Sequence, residues 1–244
     1  MRTPNYTKQT ESGNVTDTDP GKPSKTESPV SECIRCGTCC KKGGPSFHLE
    51  DKMLIERGRI LSKHLFTIRE GQRAYDNVKG IFFNAPSDVI KIKGRKGVLT
   101  CVFLDEDESG CTIYDFRPLE CRVLECRDTR AIEKVYARDR LARRDLISSV
   151  EGLWDLVEDH QKRCSYHRLE RFIDALNTDK KDEALAGIRD IIDYDARIRE
   201  LVVSKGGLDA DMTDFLFGLP ITETIRIYGL KVERKGDTIL LISI

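Results

Sequence analysis

The sequence predicts an α+β fold: a small cysteine-rich domain with a β-hairpin, followed by a helical section and a C-terminal hairpin. Three observations predict it. Cys33, Cys36, Cys39 and Cys40 crowd four thiols into eight residues, directly after a polar leader. Residues 87–93 alternate apolar and polar side chains, and 98–104 form an apolar run beyond a turn held by Gly94 and Gly97, the pattern of paired strands. From 129 to about 205 the chain is charged, poor in Gly and Pro, and apolar at helical spacing. The expected layout is a disordered tail over 1–30, a cysteine-cluster domain over 31–128, and a mainly helical section over 129–244 that ends in a hairpin and packs on the first.

Each element follows from its residues. Positions 1–30 are rich in Thr, Ser, Asp, Glu, Lys, Pro and Gly, with Tyr6 the lone aromatic; such a stretch buries too little apolar surface to offset its ordering entropy. Beyond the cysteines, Lys41-Lys42-Gly43-Gly44-Pro45 reads as a turn. Asp51 is placed to cap a helix carrying Met53, Leu54 and Ile55, with Ile60 and Leu61 continuing its spacing. A second short helix is expected over 62–70, with Leu65, Phe66 and Ile68 inside and Gly71 ending it. His48 and His64 read as ordinary core or surface histidines. After the hairpin, Asp105, Glu106, Asp107 and Glu108 make an acidic turn that lacks a calcium-loop pattern. A short third strand is expected over 111–114, and Pro118 stiffens the turn before Cys121.

In the helical section, Leu146, Val150, Leu153, Trp154 and Val157 mark one apolar stripe. Leu169, Phe172, Ile173 and Leu176 mark a second, and Ile188, Ile191, Ile192, Ile198 and Leu201 a third. The end of the chain alternates through Ile225, Ile227, Leu230 and Val232, turns at Lys235-Gly236-Asp237, and returns through Ile239 and Leu241.

Composition narrows the function. Lys plus Arg number 41, as do Asp plus Glu, so no global field draws the chain to nucleic acid or an anionic membrane. Arg127, Arg130, Lys134, Arg138, Arg140, Arg143 and Arg144 stand against Asp128, Glu133, Asp139 and Asp145. That mild basic stripe reads as a solvated helix face, not a nucleic-acid surface. No signal-like apolar run follows Met1, and apolar runs such as 239–242 are too short to span a bilayer; a cytoplasmic protein is expected. No glycine-rich nucleotide loop, nucleophile elbow or telling His–carboxylate set argues for an enzyme.

The nine cysteines are bunched and odd in number, which argues for metal binding in a reducing compartment over disulfide stapling. Two CxxC steps aim Cys33, Cys36 and Cys39 at one centre, and soft thiolates suit zinc or an iron–sulfur cluster. Cys33 and Cys36 with Cys121 and Cys126 make a four-thiolate set near zinc-ribbon spacing. Cys33, Cys36 and Cys39 with one distant cysteine resemble the ligation of a four-iron cluster, and the triple run tilts the reading toward iron–sulfur. On an extended chain Cys39 and Cys40 would point to opposite sides and not share one ion. Arg35, Arg117 and Arg122 are placed to donate hydrogen bonds to an anionic centre. His160, Cys164 and His167, at i, i+4 and i+7, share one face of a continuous helix, able to hold a metal, complete the cysteine site, or simply pack.

Together, Cys33-x-x-Cys36-x-x-Cys39-Cys40, Cys101-Val102-Phe103-Leu104, Cys111-Thr112-Ile113-Tyr114 and Arg117-Pro118-x-x-Cys121-Arg122 with Cys126 resemble the YkgJ-like CxxCxxCC cysteine-cluster family over roughly residues 31–130. The resemblance implies a zinc- or iron-chelating domain, often labelled an iron–sulfur cluster protein. Its ligands are then Cys33, Cys36, Cys39, Cys40, Cys101, Cys111, Cys121 and Cys126. The expected protein is a metal-binding one, holding an iron–sulfur cluster or Zn2+ in a structural or redox role for a protein partner. A branch of proteins sharing the module is associated with flagellin lysine N-methylation, so the resemblance carries a rival: a protein-modifying, lysine N-methylase-like enzyme. Binding of S-adenosylmethionine separates the two.

Overall fold

Strands in this protein come in antiparallel pairs, four of them among the described residues. The computed structural model describes residues 36–95, 97–107, 110–126, 128–236 and 238–244, with the Thr238 side chain left aside. The tail expected over 1–30, and the readings placed on Cys33, Arg35, Glu108, Arg127 and Asp237, lie outside the described residues. Helices and small antiparallel pairs make the fold α+β.

The pair that matters most for the cysteines joins β1 (Leu65–Ile68) to β4 (Val89–Ile92), in register Leu65 with Ile92 through Ile68 with Val89. This corrects two expectations. The helix expected over 62–70 is a 3-10 turn over Ser62–His64 followed by β1. Leu65 and Thr67 alternate inward as a half-buried strand requires, and Thr67 and Ile68 are β-branched. Likewise, 87–93 does not form a hairpin with 98–104. One bridge, Gly94 with Cys101, stands above a turn closed by Arg95 N–H to the Thr100 carbonyl at 2.7 Å. Ile90 and Ile92 find a buried partner in β1, whereas Val98 and Leu99 are left 58% and 72% exposed.

A further hairpin, β2 (Arg73–Asp76) with β3 (Ile81–Asn84), has no counterpart in the sequence reading. Asp76 Oδ1 closes its turn by accepting the Val78 and Lys79 amides. The third strand shrinks to the two-residue pair β5 (Leu104–Asp105) with β6 (Gly110–Cys111), and a 3-10 turn over Tyr114–Phe116 replaces its end. The first helix, α1 (Lys52–Glu56), stops before Ile60 and Leu61.

α2 (Leu119–Val123) belongs to the cysteine-rich part, and the helical section holds α3 (Arg130–Val135), α4 (Arg143–Ile147), α5 (Leu153–Arg163), α6 (Tyr166–Ala175), α7 (Lys181–Ser204), α8 (Thr213–Phe217) and α9 (Ile221–Thr224). The closing hairpin, β7 (Leu230–Lys235) with β8 (Thr238–Ser243), forms as expected, but Ile225 and Ile227 lie in a 3-10 turn before it. Along α7 the stripe shifts by one residue at its end, burying Val202 and exposing Leu201.

Two apolar clusters result. One packs Phe47, Leu65, Ile90, Ile92 and Cys101 with Leu141, Val157, Ile198 and Phe215. The other packs Tyr166 and Leu169 with Ile188, Ile191 and Ile192, closed by Leu230 and Ile239 from the hairpin. Residues 35–244 form one compact unit. Among the described residues no helix is long and apolar enough to cross a membrane.

The segment after the cysteine turn lies against β4 through Ile92 N–H to the Pro45 carbonyl at 3.1 Å and Phe47 N–H to the Ile90 carbonyl at 2.9 Å. The approach is so close that a Cβ on Gly44 would stand 2.4 Å from the Ile92 oxygen. Since that obstacle is backbone, Gly44→Ala is expected to destabilise by about 3 kcal/mol, the upper end of overpacking costs. A urea midpoint equal to that of the parent chain would refute this.

Candidate metal centre

Residues 36–42 wind into a knuckle. Gly37 takes a left-handed conformation (φ 71°), Cys39 is helical (φ −65°, ψ −40°), and a 3-10 turn runs over Cys40–Lys42. Lys41 N–H bonds the Gly37 carbonyl and Lys42 N–H the Cys39 carbonyl, each at 3.1 Å. On such a turn successive side chains diverge far less than on a strand. The two sulfurs of Cys39 and Cys40 therefore lie 3.9 Å apart, correcting the extended-chain expectation. Tetrahedral sulfurs bound to zinc at about 2.3 Å lie about 3.8 Å from one another, so the spacing suits a shared centre.

The other thiols arrive from three further segments. Cys101 N–H bonds the Cys40 carbonyl at 2.8 Å, stitching the second segment to the knuckle. Cys111 sits on β6 opposite Leu104, whose side chain would stand 3.1 Å from a Cβ placed on Gly37. Cys121 rides on α2, which two buried carboxylates hold in place. Asp51 accepts the Leu119 amide at 2.8 Å and the His48 amide at 3.1 Å; Glu120 accepts the Ser46 amide at 2.6 Å and faces His48 Nε2 at 3.3 Å. These two anchors were not recognised in the sequence, since Asp51 looked like a simple helix cap. His48 itself is a buried structural residue, its Nδ1 on the Arg138 carbonyl at 2.7 Å. His64 packs edge-on against Phe103.

Electrostatics show the convergence. Charge on Cys39, Cys101 or Cys111 raises the pKa of both Cys40 and Cys121. The Cys40 thiol is pushed up first by its contact with Cys39 and then by burial, and Cys101 and Cys121 are pushed up mainly by burial. Cys39 is held down at about 6 by its contact with Cys40, helped by Arg117. At the exposed edge, the Thr38 hydroxyl holds Cys36 below the usual thiol range. Five thiols in mutual repulsion cannot all ionise unaided; a bound metal cation would supply the compensating charge.

No disulfide joins one described cysteine to another. Cys36 lies beside Cys39, and Cys126 lies on the exposed turn past α2. Cys33 is outside the described residues. Arg117 lies across the Tyr114 ring at 3.6 Å, and its buried Nε has no partner. A buried donor beside Cys39 fits an anionic metal–sulfur centre, whose sulfurs accept such bonds. Arg122 turns elsewhere, to the Arg117 carbonyl at 2.7 Å and to Glu50.

Residues 32–138 match the CxxCxxCC family. Its description reads "Putative zinc- or iron-chelating domain", and the match spans the knuckle and the segments delivering Cys101, Cys111, Cys121 and Cys126. No curated protein and no solved structure matches the chain.

Away from this CxxCxxCC segment, the expected one-faced trio of His160, Cys164 and His167 is not formed. The helix ends at Arg163 with Cys164 as its cap, and a new one begins at Tyr166. His167 is therefore exposed on α6, and Asp195 of α7 joins His160 and Cys164 instead.

Proposed function

We propose that this chain is a metal-binding protein whose clustered cysteines hold an iron–sulfur cluster, in a structural or redox role for a protein partner. The observation that carries the reading is the convergence of Cys39, Cys40, Cys101, Cys111 and Cys121 from four separate segments. More thiols gather than one four-coordinate ion uses, which favours a multinuclear centre. Such a centre supplies one-electron redox capacity and a covalent crosslink between segments that are short on apolar core. Asp51 and Glu120 fix the helix that presents Cys121, Cys101 is tied to the knuckle backbone, and Arg117 offers its free N–H to the centre. The exposed Cys36 and Cys126 leave the site reachable by a partner. A reducing compartment such as the cytoplasm keeps the thiols available as ligands.

Purification without oxygen, followed by iron, sulfide and zinc analysis, tests this. Brown protein containing iron and acid-labile sulfide is expected. Colourless, zinc-loaded protein under the same conditions would overturn the iron–sulfur reading in favour of zinc.

A further inference from the structure

Arg69 follows β1 directly and is the largest fully buried side chain among the described residues. Its arm is pinned in place. The backbone amide donates to Gln72 Oε1 at 3.1 Å. Gly218 lies so close that a Cβ there would stand 3.0 Å from Cγ and 3.2 Å from Cδ of Arg69. The guanidinium is thereby held away from solvent, over the Tyr166 ring at 4.6 Å. Nη1 donates to Gln161 Oε1 at 3.2 Å, whereas Nε and Nη2 are buried without a partner.

Three observations say that these two donors face an anion. The first is their geometry. Nε and Nη2 form one edge of the guanidinium, the same edge with which Arg143 grips both oxygens of Asp88 at 2.6 and 2.9 Å. Two parallel N–H groups there suit an anionic acceptor.

The second is local charge. Gln161 Oε1 also accepts from Arg143 Nη2 at 3.5 Å, so two buried guanidiniums share one neutral oxygen. Arg143 has Asp88 as its counter-ion; among the described residues no carboxylate pairs with Arg69. Two cations against one carboxylate leave an unmatched positive charge in the interior, where it is costly. The Tyr166 ring offsets only part of that cost.

The third is that no neighbour supplies the missing charge. Burial pushes the Cys164 thiol up to about 12, so it stays protonated. Asp195 is already met by His160 Nε2, Arg199 Nε and the Ile221 amide. Gln161 is neutral, and its Nε2 donates to the Glu70 carbonyl at 3.2 Å.

We propose that the Nε–Nη2 edge of Arg69 binds one small monoanion of the size of chloride, buried between the end of β1 and the junction of α5 and α6. A single negative charge balances Arg69 and Arg143 against Asp88, and burial on all sides excludes large anions. A water molecule there would satisfy the two donors and leave the charge unmatched. The site is separate from the cysteine centre and does not depend on which metal that centre holds.

The full chain, purified with its metal and with gluconate as the added anion, is melted while chloride replaces gluconate at constant ionic strength. A tenfold rise in chloride, from about 20 to about 200 mM, is expected to raise the thermal midpoint by about 3–5 °C. Arg69→Met is expected to show no such rise. Parent crystals grown in bromide are expected to carry an anomalous-scattering peak within hydrogen-bond distance of Arg69 Nε and Nη2. A parent midpoint indifferent to the exchange of gluconate for chloride overturns the proposal, as does an equal chloride response in a folded Arg69→Met. Bromide peaks at exposed arginines alone, with water at the Arg69 edge, overturn it too. If Arg69→Met does not fold, the bromide peak in the parent decides by itself.

Discussion

Cys121→Ser is expected to lose the metal of the cysteine centre and with it most of the order in residues 36–126. Little else holds the cysteine knuckle, whose 3-10 turn buries no residue, or the two-residue β5–β6 pair. The region's described strands form three separate antiparallel pairs, each only two or four residues long, and two-stranded pairs are marginal in water without further support. Against that, a structural metal contributes on the order of 10 kcal/mol. Serine keeps the size of cysteine but offers a hard oxygen that a soft centre binds poorly. A thermal midpoint lower by about 10 °C or more follows, since each kcal/mol moves a chain of this size by roughly 2–4 °C. Hydrogen exchange should locate the loss: protection falls across the knuckle and β1–β4, while α6 and α7 with their own apolar cluster retain theirs. Cys164→Ser is the control, and it should leave the cysteine-centre metal in place. A Cys121→Ser chain that keeps its metal and its midpoint would remove Cys121 from the ligand set.

How far the sequence foretold this arrangement depends on the range of each interaction. The CxxC steps and the closing hairpin are local patterns, read within a few residues, and the hairpin forms with its turn beside Gly236. The stripes of α6 and α7 were legible for the same reason. Partner choice was not. Val89 to Ile92 read correctly as a strand, but nothing within ten residues says that Leu65 and Thr67, not Val98 and Leu99, will cover it. The β2–β3 hairpin escaped notice because Tyr75, Ile81 and Phe82 are all exposed, so no half-buried alternation marks it. At the cysteines, spacing suggested the ligands, yet the helical turn at Cys39 that aligns two adjacent sulfurs is a backbone property without a side-chain signature. His160 and Cys164 were visible as an i, i+4 pair, whereas Asp195 is supplied by a different helix and becomes a neighbour only through packing.

Long-range anchoring also carries the second large prediction. Arg143 is 2% exposed, and its guanidinium reaches three ways. Nε and Nη2 grip both oxygens of Asp88 at 2.6 and 2.9 Å, and Nη1 bonds the Leu216 carbonyl at 2.5 Å. Asp88 stands just before β4, Leu216 lies in α8, and Arg143 opens α4, so one side chain locks the β1–β4 pair to the helical section. Arg143→Ala is expected to cost about 3–5 kcal/mol, because it strands the Asp88 carboxylate in a site where that side chain is 11% exposed. Arg143→Lys should recover part of the loss, since an ammonium restores the charge but not the two-pronged grip. The decisive comparison is a double-mutant cycle with Asp88→Ala. Removing both partners should cost clearly less than the sum of the single losses, because neither charge is then left unpaired. Additive losses would mean that Arg143 acts by filling space. In that case the link between β4, which the cysteine knuckle leans on, and the helices behind it would rest on the apolar contacts of Phe215 and Phe217 instead.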